Sequence, residues 1–563
     1  MRNLQVAAAF LEMAELLELS GETGFKPVAY RRAARTLEHL AEDIEQVYEE
    51  GRLLEVPGIG KGLAGKVGEL LTRGTFHQLE ELRRQVPRGL VELLAVPGLG
   101  PRTAAVIYRH LGIAGLGELE RAAGEGRLRG LPGLGEKKEA NIRESIRRLA
   151  QRLERAPLAE VLPLAQELRA ALAAHPVAVR VEIAGSIRRG RETVKDIDLV
   201  AASARPEELM DHFATLPQVA EVIARGETKA TVRTYAGGQA DLRVVAPEHF
   251  AAAWHHFTGS AEHHVRLRHR ARERGSVLNE YGAFADEAGL YESLGLPFIP
   301  PELREDAGEV EAAEAGRLPE LIRREDLRGD LHLHTRWSDG LATVAEMAAQ
   351  ARKLGHEYIA VADHSPSLVV AHGLDARALA AQRAEIEEIN GQAGDFKVFR
   401  GVEVDILKDG SLDLPDEVLR ELDVVTASVH TRLGGDAGTM TKRLELAMKN
   451  PHVDAIGHPT GRLLGRRDPY PLDLERVLEV AAETGTALEL NASPYRLDLG
   501  WVGLKRARES GVKVVINSDA HSTAGMADLA WGINEGRRGW LEAPDVLNTR
   551  PREDLERFLM RKR

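Results

Sequence analysis

The chain contains no cysteine, which excludes disulfides and thiol catalysis and fits a reducing, cytoplasmic setting. It also lacks any apolar run long enough to span a membrane, and its first residues, MRNLQVAAAFLEMAELL, read as an acidic amphipathic helix rather than a signal peptide. Lysine is scarce beside arginine, a balance that genome composition or thermal adaptation could each produce. What is present is ordinary for globular protein: 43% hydrophobic and 29% charged residues. At 563 residues the chain is too long for one core and should hold three or four domains. The net charge of −12 is uneven. Residues 1–155 hold 24 Lys/Arg against 22 Asp/Glu, a net of +2, and the remainder holds 51 against 65, a net of −14. The total therefore does not argue against nucleic-acid binding by the N-terminal part.

The most informative pattern lies in the last 240 or so residues, where nine potential metal ligands close successive strand-like runs. They are His332, His334, Asp339, His364, Glu403, His430, His458, Asp519 and His521, in runs such as GDLHLHT, YIAVADH, VFRGVEVD, VVTASVH, VDAIGHP and VVINSDAH. The run ALELNA ends instead in Asn491. Helix-like stretches such as TVAEMAAQARKLG separate the runs, so a parallel barrel would gather the strand ends at one face. One residue separates His332 from His334 and Asp519 from His521, which puts each pair on one strand face. Imidazoles mixed with carboxylates suit Zn, Mn or Fe, and a site this size would hold two or three ions. Such a cluster polarises a phosphate ester and activates water. Glu403 is the expected bridge between ions, since a carboxylate offers two oxygens. Asn491 or Arg462 is the expected holder of a substrate phosphate.

HLHT with a downstream SDG, then ADH, GVEVD, SVH, GHP and SDAH, resemble the polymerase-and-histidinol-phosphatase (PHP) superfamily of metal-dependent phosphoesterases, over about residues 325–563. The resemblance implies a distorted (β/α)7 barrel with a trinuclear centre, Mn²⁺ or Zn²⁺ being the expected ions, and carries the metal-ligand role onto all nine positions.

Three segments of the first 150 residues repeat one theme: LLEVPGIGKGLAGKVGELL, LLAVPGLGPRTAAVIYRHL and LRGLPGLGEKKEANIRESI. The pairs Gly58/Gly60, Gly98/Gly100 and Gly133/Gly135 permit a tight turn and close backbone approach. The helix that follows presents free amides to a phosphate, and Lys61, Arg102, Lys137 and Lys138 add charge there. These copies resemble helix-hairpin-helix elements, which grip DNA backbones without reading sequence. FKPVAYRRAA followed by VPGIGKGLAGK resembles the lyase domain of the X-family DNA polymerases. That resemblance places Lys66 at the Schiff-base lysine and Lys26 and Tyr30 beside a 5′-phosphate, with Phe25 where vertebrate relatives have histidine. A lysine near other cations has a depressed pKa and can attack an abasic-site aldehyde.

Residues 181–202 lead from an apolar strand through Gly185 and Ser186 to Asp196-Ile197-Asp198, and a later strand, QADLRVV, carries Asp241. Alternation puts Asp196 and Asp198 on one face, and three convergent carboxylates can hold two Mg²⁺. GSIRRGRETVKDIDLV resembles the nucleotidyltransferase signature of X-family polymerases. The resemblance implies triphosphate contacts at Ser186 and Arg189, metal ligation by Asp196, Asp198 and Asp241, and a turn at Thr258 and Gly259 that packs on the incoming nucleotide. It departs from the pattern at Lys195, Gln239, His256, Ala261 and His264, which bears on base and sugar selection.

The order of parts is that of the bacterial X-family DNA polymerases: lyase-like helical domain 1–85, fingers region with the second and third hairpins 86–175, palm 176–250, thumb 251–320 and PHP domain 325–563. The segment around 301–330 reads as a charged linker. The implied function is short-gap filling on gapped or nicked DNA with dNTPs, joined to a metal-dependent 3′–5′ exonuclease, in a monomeric, nucleoid-associated protein. The rival is a nuclease or 3′-end phosphatase with a degenerate palm, and a non-catalytic scaffold stands behind it.

Overall fold

The computed structural model describes residues 2–22, 24–38, 44–56, 58–96, 99–153 and 155–560, in two compact units, Met1–Glu154 and Arg155–Arg563. The first unit is helical throughout its described residues. Helices α1 (Arg2–Leu19) and α2 (Phe25–Glu38) pack through Phe10, whose ring meets Tyr30 and Phe76 edge-on at 5.4 and 6.1 Å. One apolar core runs from Val6 to Ile146 and joins all three hairpins. The hairpin turns are built alike, with Ile59 N–H donating to Val56 O, Leu99 to Val96 O and Leu134 to Leu131 O, at 2.9–3.0 Å. Each turn delivers a helix: α3 (Lys61–Arg73), α4 (Pro101–Leu111) and α5 (Glu136–Leu153).

The two glycines of each hairpin pair turn out to differ. Gly58 and Gly133 adopt φ of 84° and 77°, the left-handed region that favours glycine. Gly98 lies outside the described residues. At the second glycines, Gly60, Gly100 and Gly135, the turn itself does not call for glycine. None of the three has a left-handed φ, and a Cβ on any of them would meet no atom of the protein within 4 Å. Gly60 and Gly100 are ordinary extended residues capping α3 and α4, at φ −86° and −75°. The left-handed bend lies two residues earlier, at Gly58 and Gly133, and Gly60, Gly100 and Gly135 stand exposed with open space beside them.

The second unit contains two sheets that matter for chemistry. In the palm, β1 (Arg180–Ile183), β2 (Asp196–Ala202), β3 (Val219–Arg225), β4 (Lys229–Thr234) and β5 (Gln239–Val245) form a mixed sheet in the order β1-β2-β5-β4-β3. Helix Leu158–Ala173 contributes Ala165, Leu168 and Leu172 to the core under this sheet. The second sheet has seven parallel strands in sequential order: β6 (Gly329–Leu333), β7 (Tyr358–Val361), β8 (Lys397–Asp405), β9 (Val424–Ser428), β10 (Ala455–Ile456), β11 (Ala487–Asn491) and β12 (Val514–Asn517). Its first and last strands approach each other, with His334 N–H donating to Ala520 O at 3.0 Å and Leu331 N–H to Asn517 Oδ1 at 2.9 Å. The barrel is therefore nearly closed, and every residue of these strands except Lys397 and Arg400 is buried.

The segment expected as a linker is folded. Arg304 is fully buried, donating to Glu287 Oε1 at 2.8 Å and to Ile299 O at 2.9 Å, and Glu309 is buried against His263. Leu303, Val310 and Leu321 share a core with Tyr291 and Trp540. Charge density suggested solvent exposure throughout, but Arg304 and Glu309 are paired in the interior. Palm, thumb and barrel also touch directly: Asn534 donates to Gly190 O at 2.8 Å, Arg537 to Glu302 at 2.7 Å, and Arg462 to Glu192 at 2.8 Å.

Candidate functional site

Parallel pairing of β2 with β5 sets Asp198 directly opposite Asp241, and Asp196 lies two residues before Asp198 on the same face. Burial, then the charges of Asp196 and Asp241, push the Asp198 carboxyl up to about 7. Lys229 lies 2.6 Å from Asp241 Oδ2, and Gln239 donates to Oδ1 at 3.2 Å. Gly185 adopts φ of 60°, and a Cβ there would sit 2.8 Å from Asp198 Cγ, so the turn can come this close only as glycine. Ser186 follows it, half-buried.

Arg189, the expected triphosphate contact, already has partners within the protein. It is 8% exposed and donates to Glu305 at 3.0 Å and to the Thr258 carbonyl. The geometry of the FTGS turn explains this: Gly259, at φ 77°, leaves room for that guanidinium, while Thr258 is buried and accepts from Arg188 at 2.7 Å. A triphosphate would have to compete with Glu305 for Arg189. His264 turns inward as well, its Nε2 3.1 Å from the His255 carbonyl, and burial holds it down at about 3.

In the barrel, the strand ends bring all nine candidate ligands together. His334, Asp339, His364 and His521 form one group, His332, His334 and Asp519 a second, and His364, Glu403 and His430 a third, each with ligand atoms within 4.8 Å of one another. The ninth, His458, has Nε2 2.9 Å from Glu403 Oε1. Glu403 stands at the centre. Its Oε1 faces His430 and His458 at 3.2 and 2.9 Å, and its Oε2 faces His364 Nδ1 at 2.7 Å and His332 Nε2 at 3.5 Å. His458 and Asp519 take φ of 29° and 55°, unusual for side-chain-bearing residues and typical of strained functional positions.

The residues fit divalent ions. His332 Nε2, both ring nitrogens of His334, His364 Nδ1, His458 Nδ1 and Glu403 Oε2 are buried without a hydrogen bond. His364 and Glu403 are close yet misaligned for bonding, so their lone pairs converge rather than pair. Such a concentration of orphaned acceptors and imidazoles is unfavourable in a bare core and natural around cations. Burial opposes its ionisation, yet the neighbouring His430, His332 and His364 hold Glu403 well below the usual carboxylate range. Against the same burial, Glu403 and Asp405 lift His430 to about 10.

Two supporting carboxylates escaped the sequence reading. Glu489, fully buried on β11, accepts His332 Nδ1 at 2.7 Å and Asn517 at 2.9 Å through Oε1, and the His458 N–H at 2.8 Å through Oε2. Asp405 lies 3.0 Å from His430 Nδ1. Each fixes the face an imidazole presents to the centre. The available signal was a charge within an apolar run: Glu489 alone in ALELN, and Asp405 two residues after Glu403 in VEVD.

The two expected phosphate holders serve other ends. Asn491 donates to Asp519 at 2.9 Å and to Glu489 at 3.3 Å. Arg462 is 13% exposed, paired with Glu192 of the palm and bonded to the Arg496 and Leu497 carbonyls. In the helical unit, Lys66 is half-buried with Nζ 5.2 Å from the Tyr30 ring centroid, and burial, with Lys26 adding, lowers its pKa. Lys26 is exposed and pairs with Glu22 at 3.1 Å. Tyr30 departs from its expected place beside a phosphate: the ring is 4% exposed in the core, and its hydroxyl faces Gln78 at 3.5 Å.

The comparisons agree with this division. Residues 1–76 match a helix-hairpin-helix domain, 90–148 a SAM-like helix-hairpin-helix tandem, 253–305 the DNA polymerase beta thumb and 330–493 the PHP domain. The chain is 33% identical over 231 residues to a probable phosphatase of Thermoanaerobacter sp. (strain X514), covering 39% of this chain and 89% of that protein. It is 34% identical over 202 residues to a probable phosphatase of Acetivibrio thermocellus, covering 34% and 78%. Across nearly its whole length it is 41% identical to the DNA polymerase/3′-5′ exonuclease PolX of Bacillus subtilis, over 561 residues and 98% of each chain. With its hairpins, polymerase thumb and PHP barrel in that order, the chain belongs to the bacterial PolX family of DNA polymerases.

Proposed function

We propose that this protein fills short gaps in DNA from dNTPs at the palm and degrades DNA 3′ ends at the barrel. The observation that carries the polymerase half is the opposition of Asp198 and Asp241, with Asp196 beside them and Gly185 against them. A palm this complete disfavours the rival of a pure nuclease or phosphatase. Asp196, Asp198 and Asp241 would hold Mg²⁺, which supplies charge neutralisation at the triphosphate and acidifies the attacking 3′-hydroxyl. Around it the chain does the positioning: Gly185 keeps the turn close, Ser186 donates to phosphate, and Arg189 is drawn from Glu305 toward the incoming charge. Thr258 and Gly259 shape the wall that the nucleotide faces.

The nine barrel residues, Glu403 among them, would hold two or three ions, Mn²⁺ or Zn²⁺ by donor type, which would supply an activated water and a polarised phosphate. No protein nucleophile is required. Glu489 and Asp405 hold His332 and His430 in orientation. The hairpin turns at Gly58/Gly60, Gly98/Gly100 and Gly133/Gly135, with Arg102 at the second, would track the DNA backbone, and Lys26 would meet a 5′-phosphate. The open space beside Gly60, Gly100 and Gly135 leaves the amides that start each helix reachable by a phosphate. The depressed pKa of Lys66 favours an additional 5′-deoxyribose-phosphate lyase step at the same end of the gap.

We read the protein as monomeric and nucleoid-associated; among the described residues no helix is long and apolar enough to cross a membrane. A gapped-duplex assay with and without dNTPs, in Mg²⁺ and in Mn²⁺, tests the proposal. Extension with dNTPs and 3′ shortening without them are expected, and a chain that only shortens DNA would restore the rival.

A further inference from the structure

Both side chains expected to hold the substrate phosphate are committed elsewhere, yet Arg496, beside the candidate ligand Asp519, has an unspent donor. Arg496 lies in the loop after β11 and is 20% exposed, with Nε 3.8 Å from Asp519 Oδ2. That separation is too long for a hydrogen bond. Its Nη1 is buried and has no hydrogen-bond partner. A buried cationic donor without an acceptor, at the rim of a candidate metal cluster, marks a place for an anion.

The loop that carries it is fixed. Arg496 and Leu497 donate their N–H groups to Ser493 O at 2.8 and 3.0 Å, and Thr460 Oγ1 donates to Asp498 at 2.8 Å. Arg462 Nε donates to the Arg496 carbonyl at 2.9 Å, and its far nitrogens grip Glu192 at 2.8 and 3.2 Å. Glu192 is a palm residue, 270 positions away in sequence. Arg462 thus follows candidate ligand His458 by four residues and clamps the loop on one side while the palm holds it on the other.

We infer that Arg496 binds the scissile phosphodiester at the barrel, its planar fork meeting the non-bridging oxygens, and that Arg462 is the positioning residue that sets its loop. This rests on the exonuclease reading above and names a substrate-binding group within it. The anion is a phosphodiester of DNA, and orthophosphate, which presents the same non-bridging oxygens, serves as its probe.

The test uses the full chain loaded with Mn²⁺, as wild type, Arg496→Ala, Arg496→Lys and Arg462→Met. Three quantities are read: bound manganese per chain, orthophosphate binding by calorimetry, and degradation of a single-stranded oligonucleotide. Loss of a charge-assisted contact should weaken orthophosphate binding by Arg496→Ala about 10- to 100-fold and lower kcat/KM by a similar factor, at unchanged manganese content. Arg496→Lys should recover part of the loss, keeping charge without the fork. Arg462→Met should lower kcat more than it raises KM, because the guanidinium is retained but misplaced. Wild-type orthophosphate affinity in Arg496→Ala, or a loss that tracks lost manganese, would overturn the assignment. Calorimetry decides this even for a chain that degrades no DNA, an outcome that would count against the exonuclease reading instead.

Discussion

Replacing Gly185 with alanine is the most economical test of the palm, because it adds one methyl group and removes no functional atom. Two costs follow from the structure. The backbone at φ 60° is left-handed, which costs an L-residue about 1–2 kcal/mol. The new Cβ would lie 2.8 Å from Asp198 Cγ and 3.0 Å from its Cβ, with the carboxylate nearer still. The carboxylate oxygen is the tightest of these, so restoring ordinary contact requires the Asp198 carboxyl to retreat by on the order of 1 Å. Asp198 stands on a central strand between β1 and β5, so it cannot move by sliding the backbone. Misplacing a reacting or metal-holding group by on the order of 1 Å costs about 10²-fold in rate. Gly185→Ala should therefore lose about two orders of magnitude in nucleotide addition on a gapped duplex. The fold should survive, because 1–2 kcal/mol is a fraction of the roughly 5–15 kcal/mol of a domain. The assay is single-nucleotide incorporation beside thermal unfolding and oligonucleotide degradation. Incorporation within about threefold of wild type would refute the claim that this turn is pressed against a working Asp198.

Other outcomes follow from the same geometry. Asp198, raised to about 7 in the ion-free protein, must lose its proton to ligate, so Mg²⁺ affinity at the palm should weaken as pH falls below about 7. Calorimetry in buffers of different ionisation enthalpy should show proton release approaching one per palm site near pH 6, and the absence of release would contradict that reading. The sign for stability is the reverse of a salt-bridged acid: the cost of ionising Asp198 is absent below the unfolded value near 4 and fully present above about 7. Glu489→Gln removes the carboxylate behind His332 and should cost about 10- to 100-fold in barrel metal affinity or nuclease activity, read by metal titration. If three hairpins hold about six phosphates, the log–log slope of gapped-DNA affinity against salt should be roughly −5; a flat response would make the hairpins structural turns.

What could be read from sequence was what local chemistry repeats or alternates. The three PGxG turns were legible because each is closed by a hydrogen bond within four residues, such as Ile59 to Val56. Which glycine of a pair the bend needs was not legible, since Gly58 and Gly60 look alike until their φ values are known. The nine barrel ligands were legible because they lie in or just after the C-terminal ends of successive strands, so parallel order alone brings them together. Long-range partners were not legible. Arg462 looked like a free arginine beside His458, and its partner Glu192 lies in another domain. Arg189 looked like a phosphate contact, yet Glu305 folds back from a stretch whose charge density resembled a linker. Tyr30 followed a family position, while its ring neighbour Phe10, on another helix, drew the ring inward. Glu489 hid as one charge in a buried strand, meaningful only once His332 lay beside it.

The central claim is that one chain carries two independent phosphoryl-transfer centres, a carboxylate palm and a histidine-rich barrel. Crossed substitution tests it most directly, with Asp198→Ala and Glu403→Ala assayed side by side for gap filling and for 3′-end degradation in the same Mn²⁺ buffer. Asp198→Ala should abolish nucleotide addition and leave degradation near wild type, and Glu403→Ala should do the reverse, each loss reaching several orders of magnitude. A Glu403→Ala protein that still degrades DNA, or an Asp198→Ala protein that still fills gaps, would contradict the account.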